Sequence, residues 1–129
     1  MPPYFNIAYI KYYYYADASF QIEVPNHSSK AVVGLNFQID QKKDNILLLI
    51  KDYLGGNIGY RVGQESYYYG STSFGSAKNV VNYFDHYHLL SSKHINYLKW
   101  RKAYLIVQNK DYLSSKFKKI IKLKSTMTD

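Results

Sequence analysis

Between residues 31 and 40 every second side chain is apolar, with Val33, Leu35, Phe37 and Ile39 alternating with small or polar neighbours. A period of two belongs to a strand buried on one face, so the fold must contain a sheet with a covered side. Residues 19–24 supply a preceding strand and residues 25–29, Pro-Asn-His-Ser-Ser, the turn between them. Together they predict a hairpin.

The period then changes. Asp44 offers a helix N-cap, Ile46, Leu47, Leu49, Ile50, Tyr53 and Leu54 follow helical spacing, and Gly55-Gly56 closes the segment. A second hairpin is expected from residues 57–62 and 67–74, joined by Gly63-Gln64-Glu65-Ser66. Ser76 is expected to cap a further helix that turns Val80, Val81, Tyr83 and Phe84 toward the sheet, and two more helices follow over residues 93–108 and 111–124. Residues 5–15 are apolar and aromatic without interior proline or glycine, which suits a first helix, although the run Tyr12-Tyr13-Tyr14-Tyr15 suits a strand equally well. The expected order is α-β-β-α-β-β-α-α-α, an α+β fold. Its two β-β-α units build a four-stranded antiparallel sheet with helices on one face and the other face open.

A chain of 129 residues has room for one domain. Within it, residues 1–92 form the body and residues 93–129 a basic helical segment packed on the same domain. No apolar run approaches the roughly 18 residues of a membrane span, and no signal is evident at the start, so a soluble protein without a membrane partner is expected. The absence of cysteine excludes disulfides and thiolate metal sites and leaves oxygen or histidine as metal ligands.

The net charge of +8 is unevenly placed. Residues 1–92 carry 7 basic and 7 acidic side chains, whereas residues 93–129 carry 10 basic and 2 acidic. One-sided charge of this kind fits a polyanion, because each lysine or arginine set against a phosphate releases condensed counterions. Residues 111–124 interleave Lys116, Lys118, Lys119, Lys122 and Lys124 with Leu113, Phe117, Ile120, Ile121 and Leu123, the pattern of an amphipathic basic helix. The 16 tyrosines admit both core packing and base stacking, the latter being the commoner mode for single-stranded RNA. His86, His88 and His94 lie close in sequence, and packing or phosphate contact is a more ordinary role for them than a transition-metal site.

Several blocks carry a family resemblance: Ala16-Asp17-Ala18-Ser19-Phe20-Gln21-Ile22, then Leu35-Asn36-Phe37-Gln38-Ile39-Asp40-Gln41-Lys42, then Leu54-Gly55-Gly56-Asn57-Ile58-Gly59-Tyr60-Arg61, and Tyr83-Phe84-Asp85-His86-Tyr87 through Leu98-Lys99-Trp100. In this order they resemble the LAGLIDADG homing endonucleases over nearly the whole chain. The likeness is to the C-terminal half of double-motif enzymes encoded in organellar introns. The resemblance implies an α-β-β-α-β-β-α unit that pairs with a second LAGLIDADG half, in a homodimer or from another chain, to form a saddle over duplex DNA. It also implies that Asp17, at the end of the motif helix, is a catalytic carboxylate and a ligand of magnesium. Gln41 matches a position that orders active-site water, and Lys93 is the candidate for a basic catalytic residue.

The motif itself departs from the family. Tyr12 stands where the motif's glycine lies and Tyr15 where a small polar residue is usual. Close helix packing does not absorb such volume without splaying the pair, and about 1 Å of misplacement costs on the order of 100-fold in rate. Two readings follow. In the first, an eroded endonuclease half binds RNA, as a splicing cofactor or a component of a mitochondrial ribonucleoprotein such as the ribosome, and needs no cofactor. In the second, the chain is one half of an active magnesium-dependent, site-specific DNA endonuclease. Candidate nucleic-acid contacts in either case are Lys30, Lys42, Lys43 and Arg61 near the strands. In the C-terminal segment they are Lys93, Lys99, Arg101, Lys102, Lys116, Lys118, Lys119, Lys122 and Lys124. A mitochondrial location is expected from the organellar resemblance.

Overall fold

The computed structural model describes residues 17–24, 33–89, 91–109 and 116–127, and of Asp17, Ser91 and Lys116 the backbone alone. The expected first helix with Tyr12 and Tyr15, the turn at residues 25–29, Lys30 and the start of the last helix at residues 111–115 lie outside the described residues.

The predicted hairpins are both present. Strands β1 (Asp17–Glu23), β2 (Gly34–Gln41), β3 (Asn57–Arg61) and β4 (Ser66–Ser71) form one antiparallel sheet in the order β1-β2-β4-β3. The two hairpins lie side by side through their second strands, with Ile39 opposite Tyr69 and Phe37 opposite Ser71. Helix α1 (Asn45–Leu54) carries the chain from β2 across to the far edge at β3, and α2 (Phe74–His86), α3 (Ser91–Gln108) and α4 (Lys116–Ser125) follow β4.

Alternation sorts the strands onto two faces. Ala18, Phe20 and Ile22 of β1, Leu35, Phe37 and Ile39 of β2, and Tyr69 and Ser71 of β4 are all buried. They pack against Leu47, Ile50 and Leu54 of α1, Val80 and Phe84 of α2, and Tyr97, Trp100 and Ala103 of α3. Aromatic rings dominate the centre: Phe20 lies 4.8 Å from Phe37 and 5.3 Å from Trp100 between ring centroids, and Phe84 meets Phe37 edge-on at 5.4 Å. Each ring contributes about 1.5–3 kcal/mol by leaving water, and edge-to-face contact adds to it.

Helix α3 belongs to this core rather than to a separate tail. Its Trp100 is fully buried, and Nε1 donates to the Gln21 carbonyl at 3.1 Å. Because β1 is a sheet edge, this bond caps a strand carbonyl that would otherwise be open to another chain. Asp85 of α2 fastens the next turn of α3. It accepts from Tyr97 Oη at 2.6 Å and from Arg101 Nε at 2.8 Å. Burial, and then the Asp85 carboxylate, push the Tyr97 phenol far above its ordinary range, so it donates as a neutral hydroxyl.

Three local expectations are corrected. Asp44 precedes α1 with helical backbone angles (φ −94°, ψ −11°) and makes no side-chain cap, which requires an extended residue. Ser73, not Ser76, caps α2: its backbone is extended and its Oγ accepts from the Ser76 N–H at 3.1 Å. Phe74 is therefore helical rather than strand, and its ring stacks on Tyr104 at 4.9 Å. Ser76 is buried instead, its Oγ 2.7 Å from Ser71 Oγ. The β3–β4 connection is a 3₁₀ turn over Val62–Gln64 that leaves Val62 outside the strand, Ser66 joins β4, and Glu65 between them takes the left-handed conformation (φ 48°).

On β3, Gly59 has a steric role, since a Cβ there would overlap the phenol of Tyr68 on β4. The Gly59→Ala variant should lose about 1–2 kcal/mol in urea unfolding, and Tyr68→Ala in the same chain should remove most of that penalty. The capping assignment makes a second prediction. Ser73→Ala should cost about 1 kcal/mol, whereas Asp44→Ala should stay within about 0.5 kcal/mol of the parent.

Candidate nucleic-acid interface

The alternation that fills the core leaves a second set of side chains on the opposite face of the sheet. Ser19, Gln21 and Glu23 come from β1, Asn36, Gln38 and Asp40 from β2, Tyr68 from β4 and Asn57 and Arg61 from β3, and every one is partly or fully exposed. The face is rich in amides and carries no exposed aliphatic side chain among these positions. Such groups are donors and acceptors of the kind that read base edges, and the major groove of a duplex is wide enough to take a two-stranded ribbon.

A connected cluster organises one end of this face. Gln38 Nε2 lies 3.3 Å from both oxygens of Asp40, and Asp40 Oδ1 lies 3.5 Å from an Arg61 Nη atom. The Arg61 guanidinium carbon lies 4.2 Å above the Tyr68 ring, which is free to lie flat across β3 because residue 59 is glycine. The ion pair is too exposed to stabilise the fold by more than about 1 kcal/mol. Its effect is orientation, holding the Arg61 fork at a defined position on the surface.

The sequence-derived site residues fall into three groups. The backbone of Asp17 opens β1 directly opposite Asp40, and Gln41 is the next residue of β2, so the register brings Asp17 and Gln41 to one end of the β1–β2 pair. Asp17 is the first residue of a strand, where the sequence suggests the end of a helix. Lys93 lies in the first turn of α3, a different element. Lys42 and Lys43 are exposed just past β2, and Lys42 Nζ donates to the Gln64 carbonyl at 3.1 Å, tying β2 to the β3–β4 turn. Arg61 is therefore close to both lysines in register.

The remaining basic residues are on the helix side. Arg101 is held by Asp85, Lys99 donates to the Thr126 carbonyl at the end of α4, and Lys102 is exposed on α3. Lys118, Lys119, Lys122 and Lys124 are exposed on α4, while the Lys116 side chain and Lys30 lie outside the described residues. Two of the histidines of the C-terminal half, His86 and His88, are exposed, and His94 is half-buried. His88 and His94 rings lie 5.3 Å apart, and His86 lines a groove of about 500 Å³ with Tyr53, Asn79, Asn82, Tyr83 and Tyr87. Among the described residues no group of three or more histidine, aspartate or glutamate side chains is arranged to hold a metal ion.

The open face was expected from the sequence, but these residues on it were not singled out as contacts: Gln21, Asn36, Gln38, Asp40, Asn57 and Tyr68. The signal was present as the complement of the alternation, the polar residues between Phe20, Ile22, Leu35, Phe37 and Ile39.

Comparison with known proteins agrees with this geometry. The chain is 70% identical over 99 residues to an uncharacterized cox1 intron-2 protein of 37.2 kDa from Schizosaccharomyces pombe, a match covering 77% of this chain and 31% of that protein. Its fold superposes on the meganuclease I-SmaMI bound to uncleaveable DNA with a TM-score of 0.77 and 29% identity, covering 88% of this chain and 41% of the other. It superposes on the homing endonuclease I-LtrWI bound to target DNA with a TM-score of 0.78 and 27% identity, covering 95% and 43%. The chain thus spans about a third to less than half of the length of these relatives. Residues 13–104 match the family model described as LAGLIDADG endonuclease, and with the S. pombe likeness this establishes that the chain belongs to the LAGLIDADG endonuclease family.

Proposed function

We propose that this chain is one half of a site-specific double-stranded DNA endonuclease. The observation that carries the reading is the open sheet face of amides and one oriented arginine, Arg61, on the side away from the helices. Its solved relatives support duplex DNA over RNA as the partner, since they are bound to DNA. The duplex lies on the sheet. Asn36, Gln38, Asn57 and Arg61 face base edges, and Lys42 and Lys43 face the phosphates beside them.

Cleavage requires a second LAGLIDADG half, because one Asp17 supplies one carboxylate. The donor set suits magnesium: without cysteine, the ligands available are oxygens, and an aspartate together with substrate phosphate would hold such an ion. When bound, magnesium lowers the pKa of a water and neutralises charge on the phosphate. Asp17 would hold it, and Gln41, at the same end of the β1–β2 pair, would position water. Lys93 is the weaker candidate for a basic group at this site, since it comes from α3. A mitochondrial origin is part of the proposal, supported by the relative named for a cox1 intron.

A second reading rests on the tyrosines. Tyr12 and Tyr15 add volume in the segment that the family resemblance makes the partner-facing motif, which favours binding without cleavage. One assay separates the two. The protein and its partner half, incubated with magnesium and a plasmid carrying the intron-insertion site, should cut it, and Asp17→Asn should reduce cutting by at least about 100-fold while leaving site binding in place. Specific binding without cutting by the parent protein would select the second reading, and absence of any site-specific binding would reject both.

A further inference from the structure

The charge excess of the chain sits where the sheet face cannot use it. Helix α4 rests on α3, which separates it from the strands. Ile120 is fully buried, and Phe117 and Leu123 are half-buried partners of the core. On the outer side Lys118, Lys119 and Lys122 are exposed, and α4 contains no acidic residue. At 3.6 residues per turn the three lysines occupy an arc of about 100°, and none of them is in an ion pair among the described residues. Lys124 is exposed outside that arc. Lysines three and four apart repel each other, at a cost of roughly 0.2–0.5 kcal/mol per pair, so the helix keeps this stripe against its own stability.

An amphipathic basic helix has two ordinary partners, an anionic membrane surface or a polyanion. Membrane binding uses the apolar face, and here that face is already committed to α3. Ile121 is the one apolar side chain of α4 that stays more than two-fifths exposed, at 44%. A polyanion needs only the lysines. Of polyanions, duplex DNA is favoured because the solved relatives that share this fold are bound to it.

We infer that Lys118, Lys119 and Lys122 form a sequence-independent contact for the phosphate backbone of duplex DNA, on a surface separate from the sheet face. The surface holds a second duplex segment, or keeps the protein on DNA outside its recognition site. Binding there does not require the base-reading role of the sheet, so the two proposals can fail independently.

The test is a salt titration of binding to a duplex of unrelated sequence. The triple variant Lys118→Gln, Lys119→Gln, Lys122→Gln should reduce the slope of log K against log[salt] by about 2–3, near 0.9 for each phosphate that is no longer neutralised. The corresponding triple arginine variant should keep the parental slope and the parental thermal unfolding, and the glutamine variant should unfold at a temperature no lower than the parent. Arg61→Gln, a sheet-face change, should alter this slope by no more than about 1. An unchanged slope in the glutamine variant overturns the inference. So does a reduction in the arginine variant equal to that in the glutamine variant, or a reduction confined to RNA or to vesicles of anionic lipid.

Discussion

The whole arrangement depends on which face of the sheet is buried. Phe20, Phe37, Phe84 and Trp100 decide this together, because their rings interlock only when the even-numbered residues of β1 and the odd-numbered residues of β2 point inward. A slip of one residue would exchange every side chain between faces. The Trp100 bond to the Gln21 carbonyl fixes the same register from outside the sheet, across 79 residues of sequence. The amide-rich face is thus a consequence of the aromatic packing beneath it. Binding and stability are coupled through the strands, and core changes that shift β1 or β2 move recognition side chains as well.

Electrostatics divides the molecule differently. On the sheet, charge is sparse: Asp40 holds Arg61, and Tyr68 supports the guanidinium from below. On α2 and α3, Asp85 gathers Tyr97 and Arg101 into a clasp between helices. On α4, a helix without acidic side chains, Lys118, Lys119 and Lys122 form an exposed row. An oriented recognition face with few charges next to a separate basic surface is consistent with a division between sequence selection and general affinity, since phosphate contacts position a protein on nucleic acid and base contacts specify the sequence.

Much of the fold was legible because hydrophobic period is a strong signal. Both hairpins and the four helices of the described residues were expected from it. Errors arose where several residues could satisfy one requirement. Ser73 and Ser76 both suit a helix N-cap, and only backbone geometry chose Ser73. Val62 was expected to end β3 and Ser66 to lie in the turn, yet Val62 opens a 3₁₀ turn and Ser66 begins β4. Contacts distant in sequence, such as Trp100 with Gln21 and Arg101 with Asp85, left no local trace. The site was legible in part. Asp17 and Gln41 share an end of the sheet, but the amides of the open face stand out in the sequence only as spacers between apolar residues, and the concentration of lysine points to the C-terminal segment instead.

The central claim is that the open sheet face selects a DNA sequence through base edges. Selection from a randomised duplex library, carried out with the parent protein and with Arg61→Gln, tests it most directly. The account predicts an enriched sequence for the parent and relaxed preference at one position for the variant, where losing a bidentate arginine contact removes about 1–3 kcal/mol of discrimination. An identical enriched sequence for both proteins, or no enrichment from duplex DNA at all, would contradict it.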